Sequence, residues 1–392
     1  MIRVGDLKVR YESFGGIVSG DDPPFLAWVD RQYVRELGLG PSPLWEAPDE
    51  SVGLLTAPTE VHFALTNRCD AGCPHCYMDA GAAERGELST RAFMEVLEVL
   101  ANMGVFHVAL GGGEALLRPD LFDIARYARE IGLVPNLTTS GYGLTPELAE
   151  RMRIFGQVNV SMDGVGALYG VFRGADRFSD ADRALGLLVK AGVPAGINCV
   201  VGRDNYPGLS DLFSYARDRG ANEIEFLRYK PAGRGRERYD RLCATPDQNE
   251  RICPDLAKFS AQRGLAAKID CSLVPMLCFH GPPPDALEAM ATFGCEAGNV
   301  LLGVRANGAV CGCSFMPASG LDARDLVAGY PDKSRFADLP SWHERAPEPC
   351  RSCEYVALCK GGCHAVALHV IGDINAPDPG CPRVRRARGL GR

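Results

Sequence analysis

Between about residues 59 and 240 the apolar positions of the chain alternate between two rhythms. Short runs rich in β-branched and aromatic residues recur at VHFALT (61–66), FHVALG (106–111), VPNLTT (134–139), QVNVSM (157–162), AGINCVV (195–201) and EIEFLRY (223–229), and each reads as a strand. Between them the period lengthens to that of an amphipathic helix. In STRAFMEVLEVLANMG, Phe93, Val96, Leu97 and Leu100 form a stripe at i, i+3, i+4 and i+7, and Ser89 stands at the N-cap position. Six such β/α units imply parallel strands, in a doubly wound sheet or a partial barrel. Either way, ligands bind at the carboxyl ends of the strands. Distinctive residues gather there: Cys69 after the first strand, Gly112–Glu114 after the second, Ser140 after the third and Asp163 after the fourth.

The flanks read differently. In residues 1–58, LKVRYESFGGIVS predicts a hairpin turning at Gly15–Gly16. PPFLAWVDRQYVRELGLG predicts a helix from Pro24 to a Gly38 cap, with Leu26, Val29, Tyr33 and Leu37 at helical spacing. GPSPLWEAPDESVG reads as a linker. This extension suits a small peptide-recognition module working by strand addition, or a cap on the barrel. Residues 241–290 read as a helical bridge ending in GPPPD. Residues 291–392 are loop-rich and dense in Cys, Gly and Pro, with too little apolar surface to fold on packing alone, so metal is expected to stabilise them.

Composition narrows the class. A chain of 392 residues with 46% hydrophobic and 23% charged residues reads as globular, with two or three domains. A net charge of -7 leaves no electrostatic footprint for nucleic acid. No signal-peptide core and no apolar run of membrane-spanning length are visible, so no membrane association and a cytoplasmic location are expected. Thiols stay reduced in that compartment, so the 16 cysteines argue for metal rather than disulfides.

The first cysteine group, CDAGCPHCYM, places Cys69, Cys73 and Cys76 at C-x3-C-x2-C spacing on one loop. Structural zinc and iron–sulfur cubes ordinarily take four protein ligands, so three leave one metal position open. Here the sequence resembles the radical S-adenosylmethionine (SAM) superfamily, whose signature is C-x3-C-x-Φ-C. His75 fills the usually aromatic Φ position and Tyr77 follows. The resemblance implies a partial (β/α)6 barrel of TIM type and a [4Fe–4S] cluster on the three cysteines, its open iron chelated by the amino and carboxylate groups of SAM. LGGGEALLRPD resembles the family's G-G-E motif, with Ala115 where proline is common. Gly112 and Gly113 would let backbone approach the methionine moiety, and Glu114 would accept from its ammonium. VSMDG resembles the ribose-binding segment, through Ser161 and Asp163. Arg173 would pair with the SAM carboxylate, and Asn198 and the loop PAGRGRE (231–237) stand where relatives contact SAM or substrate.

The second group lies near the C-terminus. Cys350, Cys353, Cys359 and Cys363 read C-x2-C-x5-C-x3-C; Cys295 precedes Gly308 and Cys313 at C-x12-G-x4-C; Cys381 follows. This resembles the SPASM extension, which implies two auxiliary [4Fe–4S] clusters and three clusters in all. Carried over, Cys350, Cys353, Cys359 and Cys381 would hold the outer cluster, and Cys295, Cys313 and Cys363 the inner one. Cys278 is the first choice for the fourth inner ligand, with Cys271, Cys311 or an open site as alternatives. C-x2-C spacing also suits zinc. Cys199, Cys243 and Cys253 read as core thiols, and the seven histidines show no ligand spacing.

The resemblance implies reductive cleavage of SAM to a 5′-deoxyadenosyl radical that takes hydrogen from a substrate, with flavodoxin or ferredoxin as electron donor. The expected substrate is a ribosomally made peptide, matured by a thioether or carbon–carbon crosslink or another oxidation. A tetrapyrrole side chain or other small molecule is the alternative, and a non-catalytic multi-cluster electron carrier is the reading from another class. No catalytic acid or base stands out.

Overall fold

A computed structural model describes residues 1–21, 24–46 and 53–390. Residues 47–52 of the expected linker, and 22–23 immediately before Pro24, lie outside the described residues.

The structure is mixed α/β, built on two sheets. The larger has ten strands and carries the predicted alternation. Its central strands are β5 (Glu60–Ala64), β6 (His107–Gly111), β7 (Val134–Thr139), β8 (Val158–Ser161), β9 (Ala195–Val201) and β10 (Glu223–Arg228), lying side by side in chain order and all parallel. Helices fill the crossovers. Helix Thr90–Met103 starts where the side chain of Ser89 accepts from Ala92 N at 3.3 Å, and Gly104 ends it at φ 85°. Its stripe of Phe93, Val96, Leu97 and Leu100 is buried against Val61, Phe63, Val108 and Leu110 of β5 and β6. Fully burying each such side chain is worth about 1.5–3 kcal/mol, so packing alone accounts for this layer.

The opposite faces of the strands are polar: His62, Asn136, Thr138, Asn159, Asn198 and Glu225 occupy alternate positions. Asn159 Nδ2 donates to Asn198 Oδ1 at 2.6 Å, and Asn198 Nδ2 to Thr138 Oγ1 at 3.2 Å. Glu225 on β10 feels the charges of Glu60 and His62 on β5, although four strands separate β10 from β5. The sheet therefore curls on itself as a partial barrel with a hydrophilic interior.

Two regions differ from the sequence reading. The stretch expected as one helix from Pro24 is a strand, β4 (Pro24–Asp30), followed by the short helix Arg31–Glu36. With β1 (Ile2–Val4), β2 (Leu7–Glu12) and β3 (Gly15–Asp21) it makes a four-stranded antiparallel sheet in chain order. Leu26 and Trp28, two residues apart, pack on Phe14, Ile17 and Phe106, so a period of two coexists with the helical one. The partner edge decides between them: β3 approaches so closely that a Cβ on Gly15 would lie 2.2 Å from Val29 O. This sheet covers the amino end of the barrel strands. Arg10 Nη1 donates to Pro58 O (2.9 Å) and Gly104 O (2.8 Å), and Phe106 leads into β6.

The bridge and the Cys-rich segment also hold strands that no periodicity announced. After helix Pro246–Arg263, capped by a Thr245–Gln248 box, β11 (Ala266–Ile269) adds a seventh parallel strand beside β10. On the other edge β12 (Leu301–Val304) pairs in parallel with β5, and β13 (Ala309–Cys311) and β14 (Ala318–Asp322) follow antiparallel. At three to five residues each, these strands are too short to show a clean alternation. Among the described residues no helix is long and apolar enough to cross a membrane.

Candidate functional site

The loop after β5 carries Cys69, Cys73 and Cys76. Backbone bonds fold it back on itself: Cys69 N donates to Gly81 O at 2.8 Å and Cys76 N to Cys73 O at 3.2 Å. The loop after β6 lies against its root. Gly113 N and Glu114 N each donate at 2.8 Å, to Thr66 O and Arg68 O. A Cβ on Gly113 would fall 2.3 Å from Arg68 O, and Gly112 holds φ 112° with Thr66 O 2.8 Å from its Cβ position. Both positions therefore require glycine for this close approach, before any ligand is considered.

A second clasp comes from 231–237. Arg234 donates to Cys73 O and Ala80 O at 3.1 Å and pairs with Asp79 at 2.8 Å. Gly235 N donates to Cys76 O at 3.2 Å, and a Cβ on Gly233 would meet Tyr77 O at 2.4 Å. The glycine–arginine alternation in PAGRGRE was the available signal. Through Arg234 and Gly235 this segment grips the cysteine loop.

Two hydrogen-bond donors point at sulfur. Arg173 Nη2 lies 3.4 Å from Cys73 Sγ, and Ala80 N lies 3.4 Å from Cys76 Sγ. The other Arg173 terminal nitrogen, Nη1, binds Asp163 Oδ2 at 2.7 Å, and Asp163 Oδ1 accepts from Val200 N at 2.7 Å. Arg173 thus sits on Asp163 and Cys73, and its Nε is buried without a partner, as is His75 Nδ1. His75 Nε2 is 3.3 Å from Asp163, and its ring packs on Phe172 at 4.8 Å. Burial holds the imidazole down at about 4 despite the carboxylate. Tyr77 stacks on Phe315 at 4.6 Å, and burial pushes its phenol up to about 12.

The remaining expected SAM contacts spread along the mouth. Glu114 is buried, and its carboxylate accepts from Thr139 Oγ1 (2.6 Å), Ser140 N (2.8 Å), Leu116 N (3.1 Å) and the Ser140 hydroxyl. Ser161 ends β8, in register with Asn198 on β9. Buried ion pairs between distant residues escaped sequence reasoning, among them Lys360–Glu296 and two nearer the mouth. The Lys230 ammonium meets Asp270 just past β11 and lies 4.4 Å from the Phe315 ring. Arg228 on β10 grips Asp378 at 2.5 and 3.1 Å. No local pattern links partners 40 and 150 residues apart.

The C-terminal cysteines form two neighbourhoods. Cys313 lies within electrostatic reach of Cys295 and Cys363. Cys359 lies within reach of Cys278, Cys381 and Cys350, and Cys350 feels Cys381 and Cys353. Cys278 is therefore beside the outer set, not the inner one for which it was the first choice. Burial pushes the Cys295 and Cys350 thiols up to about 12 and Cys381 to about 11, so thiolates here need a cationic centre to form. Among the described residues no three His, Cys, Asp or Glu side chains sit close enough to share one metal ion. A cube is held at its separate irons, so its cysteines need not converge on one point. Three thiols on one loop, N–H donors at two of the sulfurs, and a buried unpartnered guanidinium nitrogen fit an iron–sulfur cluster with an anionic ligand.

Comparison with known proteins agrees. The model of the Radical SAM superfamily matches residues 63–213, which span β5 to the helix after β9. Mycofactocin maturase MftC of Mycobacterium ulcerans is 31% identical over 336 residues, covering 83% of this chain and 88% of the relative. The chain belongs to the radical SAM superfamily. A relative of another name is also similar: an AdoMet-dependent heme synthase of Methanosarcina barkeri is 29% identical over 361 residues, covering 84% of this chain and 98% of that protein. The fold is that of Streptococcus suis SuiB bound to S-adenosylmethionine, with a TM-score of 0.76 at 17% identity over 96% of this chain and 99% of that one. A radical SAM enzyme carries a [4Fe–4S] cluster and SAM.

Proposed function

We propose that this chain is a radical SAM maturase acting on a ribosomally made peptide, and that it carries two auxiliary [4Fe–4S] clusters besides the one that binds SAM. The observation that carries this reading is the three-cysteine loop at the carboxyl mouth of a parallel barrel. The peptide is supported by the relative named as a mycofactocin maturase and by a SuiB structure with bound precursor peptide, TM-score 0.74 at 16% identity over 97% of this chain.

When bound and reduced, the cluster and SAM supply a 5′-deoxyadenosyl radical that removes hydrogen from the substrate. The chain's own residues hold the parts in place. Cys69, Cys73 and Cys76 would hold the cluster. Gly112 and Gly113 bring backbone close, while Glu114, Ser161, Asn198 and the Arg173–Asp163 pair, backed by His75 and Tyr77, surround SAM. The polar barrel interior orients the substrate by hydrogen bonds. Cys350, Cys353, Cys359 and Cys381 hold the outer cluster, and Cys295, Cys313 and Cys363 hold the inner one. Residues 1–58 cap the amino end of the barrel, 59–240 form the catalytic barrel, 241–290 bridge, and 291–392 hold the auxiliary clusters. A flavodoxin or ferredoxin delivers electrons.

The heme synthase relative favours a second reading, a tetrapyrrole side chain as substrate. Anaerobic turnover with SAM separates the two. Short peptides encoded beside the gene, and an iron tetrapyrrole, are offered in parallel and followed by mass spectrometry. The maturase reading expects 5′-deoxyadenosine together with a mass change in a peptide. Conversion of the tetrapyrrole with every peptide unchanged overturns it.

A further inference from the structure

Three cysteines compete for the open corner of the inner auxiliary cluster: Cys271, Cys278 and Cys311. We propose that Cys271, on the turn after β11, supplies the fourth thiolate. The proposal rests on the auxiliary-cluster reading above, and it concerns a residue that precedes Cys295 by 24 positions across two intervening helices.

Cys271 opens the one-turn helix Cys271–Leu273, and that turn is fixed from several sides. Asp270 N donates to Phe226 O at 3.0 Å, Ser272 Oγ donates to Asp270 Oδ1 at 2.7 Å, and the Asp270 carboxylate holds the Lys230 ammonium. The turn is also bolted to the segment carrying Cys363. Arg228 Nη1 donates to Ser272 O at 3.4 Å while the same guanidinium grips Asp378, and Asp378 Oδ2 accepts from Cys363 N at 2.9 Å. The two segments pack closely, since a Cβ on Gly362 would lie 2.9 Å from the Pro275 side chain, in the helix that follows the turn. One buried arginine–aspartate pair thus sets the positions of both Cys271 and Cys363.

The neighbours of each sulfur sort the three candidates. Cys271 is surrounded by Asp270, Cys295, Lys230 and Cys363, two of which are members of the inner set. Lys230 in turn faces both Cys271 and Cys363, and Cys313 feels Cys295, Cys363 and Lys230. Cys271 therefore lies within electrostatic range of Cys295, Cys363 and the Lys230 ammonium, all three of which also reach Cys313. A permanent cation beside four thiolates offsets the net negative charge of a fully ligated cube. Cys278 looks the other way: it packs with Tyr355, Cys353 and Cys359, and its carbonyl accepts from Arg383 Nη2 at 3.0 Å. Cys311 lies on β13, where its charged neighbour is Arg305.

The test uses the full chain, reconstituted without oxygen, with Cys69, Cys73 and Cys76 replaced by alanine so that only auxiliary clusters remain. Iron and sulfide per chain, and electron paramagnetic resonance of the oxidised protein, are read for Cys271→Ala, Cys278→Ala, Cys311→Ala and, as a positive control, Cys295→Ala. The proposal expects Cys271→Ala to lose about one of about eight irons and to show a three-iron signal. It expects Cys278→Ala and Cys311→Ala to keep the parent spectrum. Cys271→Ser, which offers oxygen in place of sulfur, should retain four irons with a shifted spectrum and guards against a simple folding defect. A parent spectrum in both Cys271 variants, or the three-iron signal in Cys278→Ala or Cys311→Ala, overturns the assignment. A parent spectrum in Cys295→Ala instead overturns the auxiliary-cluster reading itself, so the two failures are distinguishable.

Discussion

The barrel and the C-terminal segment hold themselves together by different means. In the barrel, parallel strands bury one face under helices, and side chains such as Phe93, Leu100, Leu185 and Phe213 lose essentially all exposure. In residues 291–390 the longest helix is His364–Ile371; from Leu302 to Phe336 the apolar side chains join the barrel's own core, whereas residues 337–390 pack in clusters around Trp342 and Tyr355, with Cys295, Cys363 and Cys278 among their members. Where sulfur occupies positions that leucine fills in the barrel, apolar burial cannot supply the same stabilisation. The lesson is that one region should survive loss of iron while the other should not. The two meet along the β12–β5 strand pair, at the buried Arg228–Asp378 pair and where Tyr77 packs on Phe315.

The largest effect expected of any change falls on activity alone. Replacing Cys69, Cys73 and Cys76 together with alanine should reduce 5′-deoxyadenosine formation to background and remove about four of about twelve irons. Barrel stability should shift by no more than about 1 kcal/mol by circular dichroism, because the loop contributes little apolar burial. A barrel that unfolds with this change contradicts the contrast.

Iron removal by a chelator under anaerobic conditions sharpens it. Hydrogen exchange should show loss of protection across 337–390, by about a hundredfold or more, with β6 to β9 still protected. Uniform loss across the chain would mean that the barrel too depends on metal.

Cutting the strap comes next. Arg228→Ala leaves Asp378 buried and unpaired, which should cost about 3–5 kcal/mol in chemical denaturation of the holoprotein. The double change Arg228→Ala with Asp378→Ala should recover part of that loss. A single change costing under about 1 kcal/mol would place the junction elsewhere.

The smallest effect lies inside the barrel. Burial, reinforced by Glu60 and Asp270, raises the Glu225 carboxyl from about 4.5 to about 7, while His62 and Lys268 pull the other way. A carboxyl raised on folding binds its proton more tightly in the folded state, so stability falls as pH rises from about 4.5 through about 7. Glu225→Gln should flatten that slope and stabilise the protein by about 1–3 kcal/mol at pH 8. An unchanged pH profile would remove Glu225 from the explanation.

The sequence was legible wherever a period ran long enough to be read. β7 and β9 begin and end at the residues the apolar runs marked, and Ser89 caps its helix as its position implied. At β4 the helical period and the strand period coexisted, and the edge of β3 chose between them. β11 to β14 were hidden by their shortness. The mouth was legible in its cysteines and glycines because spacing and backbone freedom are local properties. The partners of Arg173, Arg228 and Lys230 were not, because an ion pair across a fold leaves no trace in either neighbourhood. The same limit explains why spacing favoured Cys278 while the fold sets Cys271 beside Cys295 and Cys363.

The central claim is an iron left open by its protein ligands at the barrel mouth and available to SAM. The most direct measurement is electron paramagnetic resonance of the reduced, anaerobically reconstituted enzyme in a variant lacking Cys295, Cys313, Cys350 and Cys353, with and without SAM. The account predicts that SAM shifts the spectrum of the remaining cluster and that the shift disappears when Cys69, Cys73 and Cys76 are also replaced. A spectrum indifferent to SAM would contradict it.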